Sequence, residues 1–104
     1  MNKRPLEIKI PHLGYTVIVR KLTSKNRHLD RSFAETLEYR NESVLQLEDW
    51  PVKPNQVPAV AHELMHVIKN ICKCRMMSIE KESEHLAYLM QYMLAKITGY
   101  EFDV

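Results

Sequence analysis

The stretch that decides the fold is residues 56–74, QVPAVAHELMHVIKNICKC. Its apolar residues recur at spacings of three and four, the period of a helix with one buried face. Pro58 falls in the first turn, where its missing N–H costs nothing, and Asn55 before it is a candidate N-cap. The pattern predicts one long amphipathic helix over residues 56–74. The apolar positions are Val57, Val60, Ala61, Leu64, Ile68 and Ile71.

A second helix is predicted after it. Ser78 is a candidate N-cap, and glutamates near the helix start favour a helix N-terminus. An apolar stripe follows at helical spacing, and Gly99 is expected to end the helix. The connection around Met76 and Met77 is short enough for the two helices to fold back antiparallel. The stripe consists of Leu86, Leu89, Met90, Met93 and Ile97.

The residues before the helices predict strands. Residues 6–10 alternate apolar and polar side chains, and a turn at 11–14 leads into the apolar run 15–19, which indicates a β-hairpin. Residues 33–47 permit two interpretations: a helix over 33–40, or a second hairpin with strands at 36–39 and 44–47. We prefer the hairpin, because the helix would leave 44–47 as an isolated strand.

These elements predict an α+β fold in which a small antiparallel sheet of N-terminal hairpins packs on two antiparallel C-terminal helices. The chain has 104 residues, which fits a single domain over 1–104. Apolar residues make up 45% and charged residues 27%, close to globular averages. The longest apolar runs fall far short of the roughly 20 residues that cross a bilayer, so we expect a soluble protein without a membrane partner.

Compartment and charge give two further expectations. Cys72 and Cys74 are one residue apart on the predicted helix, about 200° around its axis, which disfavours a disulfide between them. With no secretory signal visible, we expect a cytoplasmic protein. The net charge of +2 is too small to predict nucleic-acid binding. The basic excess at 20–31 is interpreted as a solvated loop, and a nucleic-acid role for it is the weakest hypothesis.

The string Ala61-His62-Glu63-Leu64-Met65-His66 carries the chemistry. Histidines four residues apart on a helix project from one face within reach of a single metal ion. Glu63 lies about 100° around the axis, where its carboxylate can accept a proton from a water without binding the metal. The string therefore predicts a zinc site with His62 and His66 as ligands and Glu63 as general base.

Catalytic zinc usually has three protein ligands, so a third donor is expected. We choose Glu84, on the premise that an antiparallel helix pair brings the start of the second helix back across the histidine face. Tyr88 shares the face of Glu84 and is a second candidate catalytic residue, with a core or rim aromatic as the competing interpretation. Glu80, Glu82 and His85 remain alternatives for the third ligand. His12, His28 and His85 have no partner at ligand spacing and are interpreted as surface or loop residues.

The string His62-Glu63-Leu64-Met65-His66 followed by Glu84-His85-Leu86-Ala87-Tyr88-Leu89 resembles zincin metallopeptidases of the gluzincin type. It looks most like the small single-domain zincin-like proteins of phages and integrated elements. The resemblance covers roughly residues 33–97. It implies zinc bound by His62, His66 and Glu84, with Glu63 as the base.

The resemblance also implies a function and a partner. The expected activity is hydrolysis of a peptide bond, with the peptide or protein substrate held as an added strand by the 36–47 hairpin. The alternative is a regulatory or inhibitory protein of the phage type that keeps the zincin fold and acts by binding another protein. The intact Glu63 favours the peptidase, because a purely structural zinc site needs no base. The substrate and the oligomeric state are not indicated by the sequence.

Overall fold

The computed structural model describes residues 5–22, 34–49 and 52–99. They form the strands β1 (Leu6–Ile10), β2 (Tyr15–Lys21), β3 (Ala34–Glu38) and β4 (Glu42–Leu47), followed by the helices α1 (Val57–Arg75) and α2 (Ser83–Thr98). Short 3-10 turns at Pro11–Leu13 and Pro54–Gln56 lead into β2 and α1. Strands first and helices last confirm the α+β class, and both predicted hairpins are present.

The sheet is mixed, so the predicted all-antiparallel arrangement is wrong. Within each hairpin the strands pair antiparallel, but β2 pairs with β4 in parallel, which gives the order β1-β2-β4-β3. Residues 22–41, which include β3, supply the long crossover that a parallel pair requires. The cause lies in β4, whose residues from Ser43 to Leu47 are all buried. A strand buried on both faces is stable in the interior of a sheet, which leaves β3 at the edge.

The helices begin and end close to their predicted bounds. The predicted helix over 56–74 is observed as α1. Gly99 ends α2 in the left-handed conformation at φ 78°, and its N–H donates to the Ala95 carbonyl. Ser78 does not cap α2, because its hydroxyl accepts the N–H of Lys81 at 3.3 Å within the preceding turn. None of the helices among the described residues is long and apolar enough to span a membrane.

Helix α1 lies along the edge strand and runs in the same direction. Glu63 is hydrogen-bonded to Thr36 of β3, and Asn70 donates to the carbonyl of Tyr39, which follows β3. From Glu63 to Asn70 the helix rises about 10.5 Å, and from Thr36 to Tyr39 the chain advances about 10 Å. Because the two distances match, α1 and β3 run side by side in the same direction. The buried face of α1 packs on the sheet through Val60, Leu64, Val67, Ile68 and Ile71.

Helix α2 runs in the opposite direction, as predicted. Its first turn meets the sheet beyond the end of β1, where His85 contacts His12. The last residue of α1, Arg75, reaches the same end of the sheet and bonds the carbonyls of Leu13 and Gly14. Because the end of α1 and the start of α2 lie at one end of the sheet, the two helices are antiparallel.

A buried polar network connects α1 to the sheet. The hydroxyls of Tyr15 and Ser43 are hydrogen-bonded at 2.5 Å, and the Asn70 amide donates to the Tyr15 oxygen at 2.5 Å and to the Tyr39 carbonyl at 2.8 Å. Burial raises the pKa of the Tyr15 phenol, while its bonds to Ser43 and Asn70 act in the opposite direction. The network therefore stabilises the protein with Tyr15 neutral.

Arg75 provides a second connection between α1 and the sheet, at the end of the helix. Its guanidinium donates to the Leu13 carbonyl at 2.7 Å, the Gly14 carbonyl at 3.0 Å and the Arg40 carbonyl at 3.2 Å. It also donates to the Asn41 side chain at 2.9 Å and lies 5.6 Å from the centroid of the Tyr15 ring. One side chain thus joins α1 to both hairpin connections.

We expect Tyr15→Phe to lower the free energy of unfolding by about 1–3 kcal/mol near pH 7, because Ser43 and Asn70 lose a buried partner. The folded protein holds the pKa of Tyr15 above its usual value of about 10, so the unfolded chain ionises first and the wild type loses stability as the pH rises through that range. Phenylalanine does not ionise, so the difference between the two proteins should shrink there. Urea unfolding at about pH 7 and about pH 11 measures both effects.

The control is Tyr39→Phe, whose side chain is 52% exposed. At about pH 7 its free energy of unfolding should lie within about 0.5 kcal/mol of the wild type. A Tyr15→Phe difference that stays constant between the two pH values would contradict the proposed effect of burial.

We expect Arg75→Lys to cost about 1–3 kcal/mol of unfolding free energy, because an ammonium group cannot reach carbonyls in both hairpin connections at once. Lys73→Ala, an exposed change in the same helical turn, should lie within about 0.5 kcal/mol of the wild type. Urea unfolding compares the two. Equal losses of unfolding free energy in both variants would show that the guanidinium is not needed to hold the end of α1 on the sheet.

Candidate metal centre

The two histidines of the motif lie one turn apart on the exposed side of α1. The ring centroids of His62 and His66 are 5.2 Å apart, and the ring planes are inclined by 72°. Both side chains are exposed, whereas Leu64 between them is fully buried against the sheet. The position of Leu64 therefore fixes the rotation of the helix, and this rotation turns the two imidazoles outward to a common point.

Glu63 sits at the boundary between the buried and exposed faces. Its side chain is half-buried, and Oε2 accepts a hydrogen bond from the Thr36 hydroxyl at 2.5 Å. Thr36 belongs to β3, so the edge strand itself holds the carboxylate in place. Local sequence predicts the face that Glu63 occupies, but Thr36 was not predicted, because no signal in the sequence shows which strand lies beside α1.

The three side chains form one potential metal-binding group. One ligand atom from each of His62, Glu63 and His66 lies within 4.8 Å of the other two, and the described residues contain no other such group of three or more. Two imidazole nitrogens and a carboxylate oxygen are donors that suit zinc. Donors at 2.0–2.1 Å from a tetrahedral ion are about 3.3 Å apart, so modest side-chain rotation would bring this set to binding distance. The two imidazoles fit a zinc ion, and Glu63 is close enough to be either a third ligand or the carboxylate beside a bound water.

The structure does not bring Glu84 or Tyr88 to this group. Glu84 is exposed in the first turn of α2, next to His85, which contacts His12. Tyr88 is 68% exposed and lines a cavity with residues of β1, which is the strand at the opposite edge of the sheet from β3.

The reason is the length of α1. Arg75 lies nine residues after His66, so the helix continues about 14 Å past the histidines before the chain turns back. The start of α2 therefore meets the end of α1 and not the motif. Across the sheet, the edge strands are about 14 Å apart, since three strand spacings separate them. Glu84 as the third ligand stays a prediction, and among the described residues Glu63 is the only third donor near the histidines.

The alternative ligands lie in the same region as Glu84. Glu80 is exposed in the connection between the helices. Glu82 and His85 face each other, with Oε2 3.7 Å from Nδ1.

His12, His28 and His85 were interpreted as surface or loop residues without a partner at ligand spacing. His12 is exposed in the turn after β1, His85 is half-buried in α2, and His28 lies outside the described residues. Spacing in the sequence gives no sign that the Nε2 atoms of His12 and His85 are 2.8 Å apart, because the two residues are 73 positions apart in the chain.

The cysteines are not part of the group. Both are free, in agreement with the predicted absence of a disulfide between them. Burial, with a smaller contribution from the negative charge of Glu82, raises the pKa of the Cys72 thiol and keeps it protonated. The Cys74 thiol donates to Asn70 Oδ1 at 3.6 Å, within the polar network of α1.

The basic stretch at 20–31 lies partly outside the described residues. Arg20 and Lys21 belong to β2, and residues 23–31 are outside the described range. Arg20 Nε donates to Gln46 Oε1 at 2.7 Å, so this cation is engaged within the sheet.

Comparison with known proteins does not assign the chain to a family. No protein-family model, curated protein or solved structure matches it. The gluzincin resemblance therefore depends on the motif residues themselves and on the arrangement of His62, Glu63 and His66 beside the edge strand.

Proposed function

We propose that this protein is a zinc-dependent metallopeptidase in which His62 and His66 bind the metal and Glu63 is the general base. The observation that carries the proposal is the group of His62, Glu63 and His66 ligand atoms, all within 4.8 Å of one another, on a helix beside an edge strand. Zinc held there would lower the pKa of a bound water to about 7 and polarise a substrate carbonyl.

The contact between Glu63 and Thr36 supports the role of the base. Thr36 donates to Oε2, which fixes the plane of the carboxylate and leaves Oε1 as the oxygen that accepts a proton from water. A base whose position is set by the fold loses little freedom when it acts. Glu63 then returns the proton to the amine that leaves the cleaved peptide bond.

The position of β3 supports substrate binding as an added strand. β3 pairs only with β4 in the described sheet, so its outer N–H and C=O groups face away from the other strands. Such an edge accepts an extended peptide through main-chain hydrogen bonds. Because Thr36 of β3 contacts Glu63, a peptide paired along this edge would run next to the histidines.

The alternative is a non-catalytic protein of zincin-like fold that acts by binding a partner protein. One observation favours it: among the described residues, Glu63 is the only carboxylate that groups with the two histidines at a distance suited to a metal ion. If Glu63 binds the metal as the third ligand, no base remains in the group. The two functions therefore differ in the role of a single side chain.

We expect Glu63→Gln to keep zinc and to lose peptide hydrolysis, because glutamine cannot accept the proton but leaves both histidines in place. Zinc content is measured by elemental mass spectrometry, and hydrolysis with a library of quenched fluorescent peptides. Glu80→Gln, an exposed carboxylate outside the group, is the matched control and should keep both. Loss of zinc in Glu63→Gln would show that Glu63 is a ligand and would favour the non-catalytic protein.

We expect Glu84→Gln to keep zinc, since the described structure places Glu84 at the far end of α1 from the histidines. His62→Ala should lose the metal under the same conditions, because it removes one of two imidazole ligands. Metal content after dialysis at neutral pH measures both. Zinc lost from Glu84→Gln would contradict the described arrangement and support the ligand set that the gluzincin resemblance implies.

A further inference from the structure

His12 and His85 converge on one point at the opposite edge of the sheet. His12 lies in the turn after β1 and His85 in the first turn of α2, and their Nε2 atoms are 2.8 Å apart. The ring centroids are separated by 5.0 Å. In the hydrogen bond between two neutral imidazoles one nitrogen donates and the other accepts. The fold thus directs two metal-ligating atoms from distant parts of the chain at each other.

Glu82 lies beside one member of the pair. Its Oε2 lies 3.7 Å from Nδ1 of His85, on the side of the ring away from His12. A carboxylate at Nδ1 favours the tautomer with its proton there, and the Nε2 lone pair then points toward His12. Metal-ligating histidines commonly have this partner, which fixes the ring and raises its basicity.

The pair has open space beside it. A cavity of about 300 Å³ is lined by His12, His85, Tyr88, Tyr92 and residues of β1. The His85 side chain is 36% exposed, so an ion can reach it from solvent. Water molecules in the cavity can complete the coordination of an ion that has only two protein ligands.

We propose that His12 and His85 form a second metal site, independent of His62 and His66, for a divalent transition metal. The Nε2 atoms are 2.8 Å apart and the ring centroids 5.0 Å, so the two rings meet nearly end to end in a hydrogen bond. Metal–nitrogen bonds of 2.0–2.1 Å require both rings to turn toward the open cavity, where an ion replaces this hydrogen bond. Ni²⁺ and Cu²⁺ rank above most divalent metals in affinity for imidazole.

Metal at this site would connect α2 to the turn after β1. The two ligands are 73 residues apart, and a link that closes a long loop removes much conformational freedom from the unfolded chain. The bound ion would also hold the wall of the cavity formed by Tyr88 and Tyr92.

The test uses Ni²⁺, because the two free cysteines could reduce Cu²⁺. Nickel chloride is titrated by calorimetry into the full chain carrying His62→Ala and His66→Ala, which removes the first site. We expect one Ni²⁺ per chain and a higher Tm in its presence. Adding His12→Ala or His85→Ala to this background should abolish the binding.

A third variant tests the orienting carboxylate. Glu82→Gln should weaken Ni²⁺ binding by about 10–100-fold, while Glu80→Gln, an exposed neighbour, should leave the affinity unchanged. Undiminished Ni²⁺ affinity in the variants lacking His12 or His85 would overturn the site. Because the first site is absent throughout, these outcomes are separate from the test of the peptidase.

Discussion

The contact of Arg75 with both hairpin connections is the interaction on which the rest of the structure depends. Its guanidinium bonds carbonyls of Leu13, Gly14 and Arg40, so the end of α1 is held at a fixed point of the sheet. Asn70 adds a second fixed point about 1.4 turns earlier. With its end and middle fixed, α1 extends back along β3, and Glu63 meets Thr36. The contacts in the second half of α1 therefore determine where the candidate metal centre lies along β3.

The local part of this arrangement could be predicted from the sequence. Apolar spacing gives α1, its buried face and therefore the outward projection of His62 and His66. Alternation and turn residues give the two hairpins. The parallel pairing of β2 with β4 has no local signal, because it depends on which strand has the most apolar surface to bury on both faces. Without that pairing, neither the position of β3 beside α1 nor the role of Thr36 could be foreseen.

The third metal ligand shows a second limit of prediction from the sequence. The predicted helix over 56–74 already continued well past His66, so an antiparallel second helix had to begin far from the histidines. The choice of Glu84 depended on motif resemblance and on the face of the second helix that Glu84 occupies. Neither of these takes account of the length of α1 beyond His66. The contact between His12 and His85 shows the converse, since two histidines with no local pattern meet because β1 and α2 are neighbours in the fold.

The parallel pairing also has a consequence for the order in which the protein assembles. Each hairpin and each helix is stabilised by contacts that are close in sequence. The β2–β4 pairing instead brings together the two ends of residues 22–41, and this loop closure costs conformational entropy before the pairing contacts can form. Contacts of this kind set the folding rate of small mixed domains. Thr36 can reach Glu63 only after this ladder has placed the second hairpin against α1. The alignment of the carboxylate thus depends on the least local pairing of the fold, whereas the spacing of the two histidines depends on α1 alone.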